Sequence, residues 1–507
     1  MQDIPEWRAR WNQWLAERYK DRAGLAAAWG ADLQAGEDPA RGTVAMPPDF
    51  SAPTLRTRDA IAFISATERD TFARMSTFLR KELGVKALLT NMNGWSNRAT
   101  DQSARLLFDY VDDHFYVDHP QFLETPWRLP SRCPNTSPIA NGAETGRQAT
   151  FVRLLDKPFT ISEYNYSCPG RFRGVGGILT GAMGALQGWG GIWRFAYSHN
   201  RDNLFAPMPL NYFDMADDPM GQAAERAAIC LFLRGDMRAA PHSIGVAMTR
   251  AALANPPASI PWLCPQWHWA AWVTRVGTYV PGRTGPSVGP LLLDWTAPTT
   301  IDGQRPIPIR PYEANDAAIA ALLREQGILA KNNPTDPAEK IFRSETGEIT
   351  IDAPRNTMIL DTPRTAGGFA PAGQTITTAA GVTVAVQATD ATVWVSSLDG
   401  GKISGSKRLL VTHLTDLQNS EITYAERDLQ TLLAWGKLPH LVRAGKAAVS
   451  VKHADAAQLR VWALSTDGRR LAQVPAEVKG GALTFTADVA AFAREHGAVF
   501  CYEVAGK

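Results

Sequence analysis

The sequence predicts an α/β part followed by an all-β part. Up to about residue 240, segments with helical periodicity alternate with short, continuously apolar segments, which is typical of parallel strands buried on both faces. From Gly347 onward, short segments alternate polar and apolar residues between turn signals, as antiparallel β-sandwiches do. We therefore expect an α/β region at 1–240, a linker and mixed α/β or β segment packed on it at 241–345, and a β-sandwich at 346–507.

Composition and charge exclude several classes of protein. The chain has 507 residues and a net charge of +2, and no basic run that would indicate nucleic acid or an anionic membrane as a partner. It has no apolar run of about 18 residues, so we expect no membrane span, and its first 15 residues lack the apolar core of a signal peptide. The five cysteines are scattered without a C-x-x-C spacing, which argues against a metal site or a disulfide framework and leaves a single bridge open.

The first 85 residues predict two helices joined by a long loop. Residues 5–30 are predicted as one helix because tryptophans recur there at spacings of three and four. Residues 31–60 are rich in Pro and Gly and predict an extended loop. A second helix is predicted from Thr67 to Leu83, because a glycine follows it where helices commonly end.

Four predicted strands and two predicted helices complete the first region. The strands are VKALLTNMNGW (85–95), RLLFDYVDDHFYVDHP (105–120), PFTISEYNY (158–166) and GIWRFAYSHN (191–200), and the helices are 173–189 and 220–234. Each strand ends in polar residues. Because (β/α)8 barrels carry their active sites at the carboxyl ends of the strands, we expect a functional site at that edge.

The later regions predict one amphipathic helix, Ala317 to Gln326, and a series of short strands. The strands are EITIDA (348–353), NTMILDT (356–362), VTVAVQA (382–388), ATVWVSSLDG (391–400), KRLLVTHLT (407–415), AAVSVKH (447–453), QLRVWALS (458–465), LTFTADV (483–489) and AVFCYEV (498–504).

Glu163 is the leading candidate for a functional carboxylate. It follows an apolar run and is flanked by Tyr164, Asn165 and Tyr166. A glutamate at a strand end is ordinarily a solvated surface group, but one at the carboxyl end of a parallel strand, among amide and phenol groups, is placed for chemistry.

The ordered segments LLTNMNG, DYVDDHFYVDHP, KPFTISEYNY and GIWRFAYSH resemble the second half of a retaining glycoside hydrolase barrel of clan A, in particular family 42 β-galactosidases and related large β-glycosidases. The opening W-x-x-W-L-x-x-x-Y with its following A-A-W-G resembles the segment after the fourth strand of that family, and TPRTAGGF to KRLLVTHLTD resembles its β-rich C-terminal parts. The resemblance implies a partial (β/α)8 barrel, strands five to eight, followed by one or more β-sandwich domains.

The resemblance also implies roles for individual residues. Glu163 matches the nucleophile that ends strand seven. Two residues of the preceding strand would orient it, two residues of strand five would face the sugar, and one aromatic residue of strand eight would form a floor for the sugar; in that order they are His114, Tyr116, Asn91, Asn93 and Trp193. The substrate would be an oligo- or polysaccharide, and no metal or cofactor is needed.

The chemistry of retaining glycosidases fits a carboxylate in such company. One carboxylate attacks the anomeric carbon, and a second carboxyl group about 5–5.5 Å away protonates the leaving oxygen. Hydrogen-bond donors keep the nucleophile ionised, and His114, Tyr116 and Tyr164 are the donors that the sequence offers.

The second carboxyl group is expected to lie outside this chain. In the family it belongs to an Asn-Glu pair that ends strand four, and no such pair precedes the opening helix. The sequence therefore predicts an inactive isolated chain: either a fragment of a longer protein, periplasmic or secreted, or a chain whose barrel is completed by a second copy or a separate polypeptide.

Other interpretations stay open. The chain could be a non-catalytic carbohydrate-binding or assembly protein. His114 could be a buried structural histidine or a metal ligand, Asp112 and Asp113 could bind backbone or arginine, and Trp193 could be a core residue. The loop RFRGVGG (171–177) is similar to a phosphate cradle, but it lacks the Lys-Ser/Thr ending and indicates close backbone packing instead.

Overall fold

The computed structural model describes residues 4–50, 52, 54–94, 99–249, 265–283, 291–294, 300–308 and 316–506. Within these ranges, no helix combines the length and apolar character that crossing a bilayer requires.

The opening segment forms two helices rather than one, α1 (Pro5–Tyr19) and α2 (Arg22–Trp29). The chain breaks at Lys20, whose φ of 70° is incompatible with a right-handed helix. Asp21 then caps α2 by accepting a hydrogen bond from the Gly24 backbone N–H at 2.9 Å. The predicted single helix 5–30 is therefore wrong in its continuity.

The next helix, α3 (Leu55–Thr77), begins twelve residues earlier than predicted and continues as a π-helical turn, Phe78–Glu82. The Thr54 hydroxyl accepts from the backbone N–H of Thr57 at 3.1 Å and so starts the helix inside the predicted loop 31–60. The helices α1, α2 and α3 share a small core of their own, built around Trp11, Leu15, Leu25, Trp29 and Phe63.

A parallel sheet of three strands follows, in the order β1 (Val111–Val117), β2 (Phe159–Tyr166) and β3 (Gly191–Arg194). All three strands were predicted. The remaining predicted strand, 85–95, is wrong over its described part, because residues 85–94 form no strand. That segment is held at Leu89, whose N–H donates to the Asp109 carboxylate at 2.7 Å, and Leu88 is 66% exposed. Trp95 lies outside the described residues.

Two helices cover one face of this sheet, α4 (Gly176–Gln187) and α5 (Pro219–Ala228), and α5 continues as a π-helical turn, Ile229–Leu233. Every residue of α4 is buried. The two helices touch backbone to backbone, since a Cβ built at Gly177 would lie 1.8 Å from the Ala224 carbonyl oxygen. Close packing, rather than a phosphate site, is what the glycines of this segment provide.

The middle region contains a second parallel sheet, which the sequence did not predict, and a helix, α6 (Asp316–Glu325), which it did. In order, the strands of this sheet are Arg275–Tyr279, Ser243–Ala247, Leu291–Asp294 and Ile307–Pro308.

The β-rich region has two large antiparallel sheets, and all nine predicted segments there contain a strand. The nine-stranded sheet has the order Ile341–Arg343, Ile349–Asp352, Thr357–Asp361, Thr365–Ala370, Ala391–Ser397, Arg408–Leu414, Cys501–Gly506, Leu459–Leu464 and Arg470–Val474. The five-stranded sheet has the order Thr375–Thr377, Val382–Val386, Lys446–Lys452, Ala482–Asp488 and Ala476–Lys479.

The nine-stranded sheet joins the two parts of the chain. One face shares a core with the five-stranded sheet, as in a β-sandwich, and residues such as Phe342, Met358 and Trp394 pack into the α/β core from the other. The α/β character and the antiparallel β-sheets are therefore confirmed. Three parallel strands stand where the resemblance implies four, so a partial barrel is not established.

Smaller elements complete the described chain. A four-stranded sheet has the order Thr423–Tyr424, Thr431–Ala434, Ser131–Arg132 and Gln121–Phe122, and a two-stranded sheet pairs Leu417–Ser420 with Lys437–Val442. The short helices are Gly30–Asp32, Pro39–Arg41, Ala99–Asp101, Gln102–Arg105, Arg147–Thr150, Arg171–Val175, Asp202–Leu204, Pro265–Trp272, Ile403–Gly405 and Ala456–Gln458.

Candidate active site

An irregularity in the pairing of β1 with β2 positions Glu163. Asp113 pairs with Ile161 and His114 pairs with Glu163, so Ser162 is an extra residue on β2. A bulge of this kind re-aims side chains locally. Here it lets two consecutive residues of β2, Ser162 and Glu163, both reach the ring of His114.

The Glu163 carboxylate contacts the two residues that the sequence predicts as its neighbours on β1. The Tyr116 hydroxyl donates to Oε2 at 2.6 Å, and Nδ1 of His114 lies 3.4 Å from the same oxygen. The side chain of Glu163 is 32% exposed, so it is open to a ligand. Burial, together with the hydrogen bond to Glu163, raises the pKa of Tyr116 well above its ordinary value, so this hydroxyl keeps its proton.

A chain of hydrogen bonds from Asp112 through Ser162 fixes the ring of His114. Asp112 is 2% exposed and accepts from the hydroxyls of Thr160 and Ser162, the latter at 2.5 Å. Because the single hydroxyl proton of Ser162 goes to Asp112, the Ser162 oxygen accepts from Nε2–H of His114, 2.9 Å away. The Nδ1 atom is thereby the ring nitrogen that faces Glu163. Burial raises the pKa of Asp112, against the effect of these hydrogen bonds.

Tyr164 does not take part, contrary to expectation. Its hydroxyl donates to Glu225 of α5, where Arg194 also binds, with its Nη1 2.8 Å from the Glu225 carboxylate. Successive strand residues point to opposite faces, so Tyr164 faces the helices while Glu163 faces away from them. Asn165 binds the backbone carbonyl of Phe213 at 2.9 Å and is likewise structural.

The two asparagines predicted to face the sugar lie in the segment that fails to form a strand. The Asn91 amide donates to Glu68 of α3 at 2.6 Å, and both Asn91 and Asn93 are exposed. The same segment passes close to His114, since a Cβ built at Gly94 would lie 3.3 Å from Nδ1. The structure therefore brings the segment to the site, but the Asn91 amide is bound away from Glu163.

Trp193 is 56% exposed and is therefore not a core residue. Its ring lies back over its own strand, because a Cβ built at Gly191 would be 2.5 Å from the indole. Tyr164 pairs with Arg194, so the adjacent residues Glu163 and Trp193 lie on the same face of the sheet.

Sequence reasoning missed the aromatic residues beside Tyr116. The ring of Phe213 lies 5.7 Å from that of Tyr116, and the ring of Phe195 lies 6.4 Å from it. Phe195 directly follows β3, so its position at a strand end was the available signal; Phe213 lies in a loop, where no periodicity marks it.

The described part of the chain shows no cluster of three or more His, Cys, Asp or Glu side chains arranged to hold a metal ion. Cys133, Cys168, Cys230 and Cys501 are free, and Cys264 lies outside the described residues. No protein-family model matches the chain, and no curated protein matches it.

Proposed function

We propose that the chain belongs to a retaining β-glycosidase that acts on oligo- or polysaccharides, with Glu163 as its nucleophile. The observation that carries the proposal is the hydrogen bond of 2.6 Å from Tyr116 to a partly exposed carboxylate on the central strand of a parallel sheet. In this proposal β1, β2 and β3 correspond to barrel strands six, seven and eight.

The geometry suits a nucleophilic carboxylate. Both the Tyr116 hydroxyl and the His114 ring contact Oε2, so Oε1 is the oxygen placed to attack the anomeric carbon. The Tyr116 hydroxyl donates to the ionised form of Glu163 and holds its orientation. Trp193, on the same face of the sheet, would contact the sugar ring.

We propose no acid/base among β1, β2 and β3, because the resemblance implies that this residue ends barrel strand four. We therefore expect this chain alone to hydrolyse ordinary aryl β-glycosides at negligible rates. A 2,4-dinitrophenolate leaving group needs no protonation, so the first step, in which the glutamate–sugar bond forms and the phenolate departs, requires the nucleophile alone.

The test is covalent labelling with 2,4-dinitrophenyl 2-deoxy-2-fluoro-β-D-galactoside and with the corresponding glucoside, read by intact-protein mass and peptide mapping. We expect one fluoroglycosyl adduct on Glu163, none in Glu163→Gln, and labelling slowed about tenfold in Tyr116→Phe, because a hydrogen bond to a charged group is lost. Glu421→Gln, which removes a carboxylate that is 66% exposed in the β-rich region, is the matched control and should label normally. An adduct on another residue, or no adduct, contradicts the proposal.

The second candidate is a non-catalytic carbohydrate-binding or assembly protein, which the exposed indole of Trp193 favours. This candidate predicts that neither reagent forms an adduct with the protein and that saccharide binding is unchanged in Glu163→Gln.

A further inference from the structure

A second cavity lies one aromatic ring away from the Glu163 site. It has a volume of about 470 Å³, and Phe213 forms part of its wall. The ring of Phe213 also packs against that of Tyr116, with centroids 5.7 Å apart, and Tyr116 binds Glu163. The two sites are therefore neighbours that share a wall.

One side of this cavity is a fixed but accessible indole. Trp127 is 64% exposed, although its ring packs against Phe122 at 4.9 Å and against Phe213 at 6.2 Å. Aromatic contacts of this kind hold a ring in place at little entropic cost to a ligand that packs on it. Trp127 thus offers a preorganised apolar surface.

Another part of the lining is polar and also preorganised. The buried carboxylate of Asp214 accepts from Nδ1 of His199 and from the amides of Asn203 at 2.9 Å and Asn211 at 3.0 Å. All four of these side chains line the cavity. Because the NH2 groups of the asparagines are oriented by Asp214, the amide planes are fixed before any ligand arrives.

Asp217 forms part of the cavity lining and lacks hydrogen-bond partners of its own. It is 3% exposed, and neither carboxylate oxygen makes a hydrogen bond within the protein. Burial raises the pKa of Asp217, and the Met208 backbone N–H, which is nearby but makes no hydrogen bond of normal geometry with it, opposes this with a smaller effect. A buried carboxyl without partners costs free energy, which a ligand with hydroxyl groups would recover.

The composition of this lining selects among ligand classes. Hard cations need six or more oxygen ligands, but the Asp214 oxygens are occupied by N–H donors, which leaves Asp217 as the free carboxylate. Anions are disfavoured by the two carboxylates. A neutral molecule with several hydroxyls and one apolar face matches both the polar side and the indole.

We propose that this cavity binds a further sugar unit of an oligosaccharide whose scissile bond lies at Glu163. The inference rests on the proposed function and adds that the substrate is an extended oligosaccharide rather than a simple glycoside. The shared wall of Phe213 and Tyr116 places the second unit next to the first.

The test is isothermal titration calorimetry on the full chain carrying Glu163→Gln, which separates binding from catalysis. The probes are cellotetraose, xylotetraose, mannotetraose and β-1,4-galactotetraose, with tetramethylammonium chloride as a cationic probe. At least one tetrasaccharide should bind, and Trp127→Ala should weaken its Kd about tenfold or more through loss of the apolar surface. Asp217→Asn, which keeps the shape of the side chain, should also weaken binding.

Phe205→Ala is the matched control, because Phe205 is an aromatic residue that is 77% exposed and lies outside the cavity lining. Its Kd should equal that of the parent. Absence of binding by all four tetrasaccharides, a Kd unchanged by both Trp127→Ala and Asp217→Asn, or binding of tetramethylammonium overturns the inference. A failed labelling of Glu163 with intact, Trp127-dependent binding would instead refute the catalytic proposal and leave this cavity as a sugar site.

Discussion

Arg173 connects the α/β part of the molecule to the β-rich part, and its replacement should lower the free energy of unfolding. Its guanidinium is 1% exposed and lies 3.0 Å from the Asp218 carboxylate. It also donates to the backbone carbonyls of Gly170 at 2.8 Å and Leu417 at 3.0 Å. Asp218 in turn caps α5 by accepting from the Gly221 N–H at 2.9 Å. One side chain therefore holds a loop, a helix start and a strand of the β-rich region.

The expected cost follows from this burial. Arg173→Met keeps most of the apolar stem but removes the ion-pair partner of the Asp218 carboxylate, which is 2% exposed. Breaking one partner of a buried ion pair lowers the free energy of unfolding by about 3–5 kcal/mol. Urea unfolding at pH 7, followed by tryptophan fluorescence, should show this loss. The control is Arg469→Met, which removes an ion pair with Asp467 whose two side chains are 81% and 57% exposed and should cost about 1 kcal/mol or less.

The pH dependence provides a second check on Arg173→Met. Burial acts to raise the pKa of Asp218, but the ion pair with Arg173 lowers it below its ordinary value. In the parent, this carboxyl therefore contributes stability above its unfolded pKa of about 3.9, and the contribution is lost as the pH falls through the lower folded value. In the variant, only the Gly221 N–H and the charge of Arg194 still oppose burial, so the folded pKa of Asp218 is higher than in the parent and protonation relieves the penalty. The gap between the two proteins should narrow from pH 7 towards about pH 4; a variant within about 1 kcal/mol of the parent at pH 7, or a constant gap, refutes the reasoning.

Two further predictions concern packing and a buried histidine. Gly177→Ala should lower the free energy of unfolding by about 1–3 kcal/mol in urea, because its Cβ would meet the Ala224 carbonyl oxygen at 1.8 Å. Gly405→Ala, where a Cβ meets nothing within 4 Å, should change it by no more than about 0.5 kcal/mol, and equal effects would contradict the packing argument. Burial lowers the pKa of His413 to about 4. Between about pH 6.5 and 4 only the unfolded chain binds this proton, so the free energy of unfolding of the parent decreases as the pH falls through this range. His413→Leu should remove that part of the pH slope in urea titrations, and an unchanged slope would show that His413 does not cause it.

The elements that the sequence predicts correctly are those with strong local signals. The strands β2 and β3 are short apolar runs, and α4 is a run of small residues that ends at Gly188, whose φ of 61° needs a glycine. The errors have local causes as well. The break at Lys20 carries neither Gly nor Pro, and the cap at Thr54 lies within a Pro-rich stretch that resembles a loop.

The segment 85–94 shows why an apolar run is an ambiguous signal. It contains two leucines in succession, as buried strands do, yet Leu88 is exposed and the chain is held by Asp109 instead of a neighbouring strand. A short apolar run becomes a strand only where a partner strand supplies its hydrogen bonds, and that depends on residues distant in the sequence.

By itself, the sequence determined that Glu163, His114 and Tyr116 lie on adjacent strands, because both strands follow the near-continuous apolar pattern of buried parallel strands. Only the tertiary structure decided how these side chains meet. The extra residue Ser162 shifts the register so that His114 stands opposite Glu163. Register reflects pairing between strands and not the properties of either strand alone, so the contact from Tyr116 to Glu163, and the turning of Tyr164 away from it, could be found only in three dimensions.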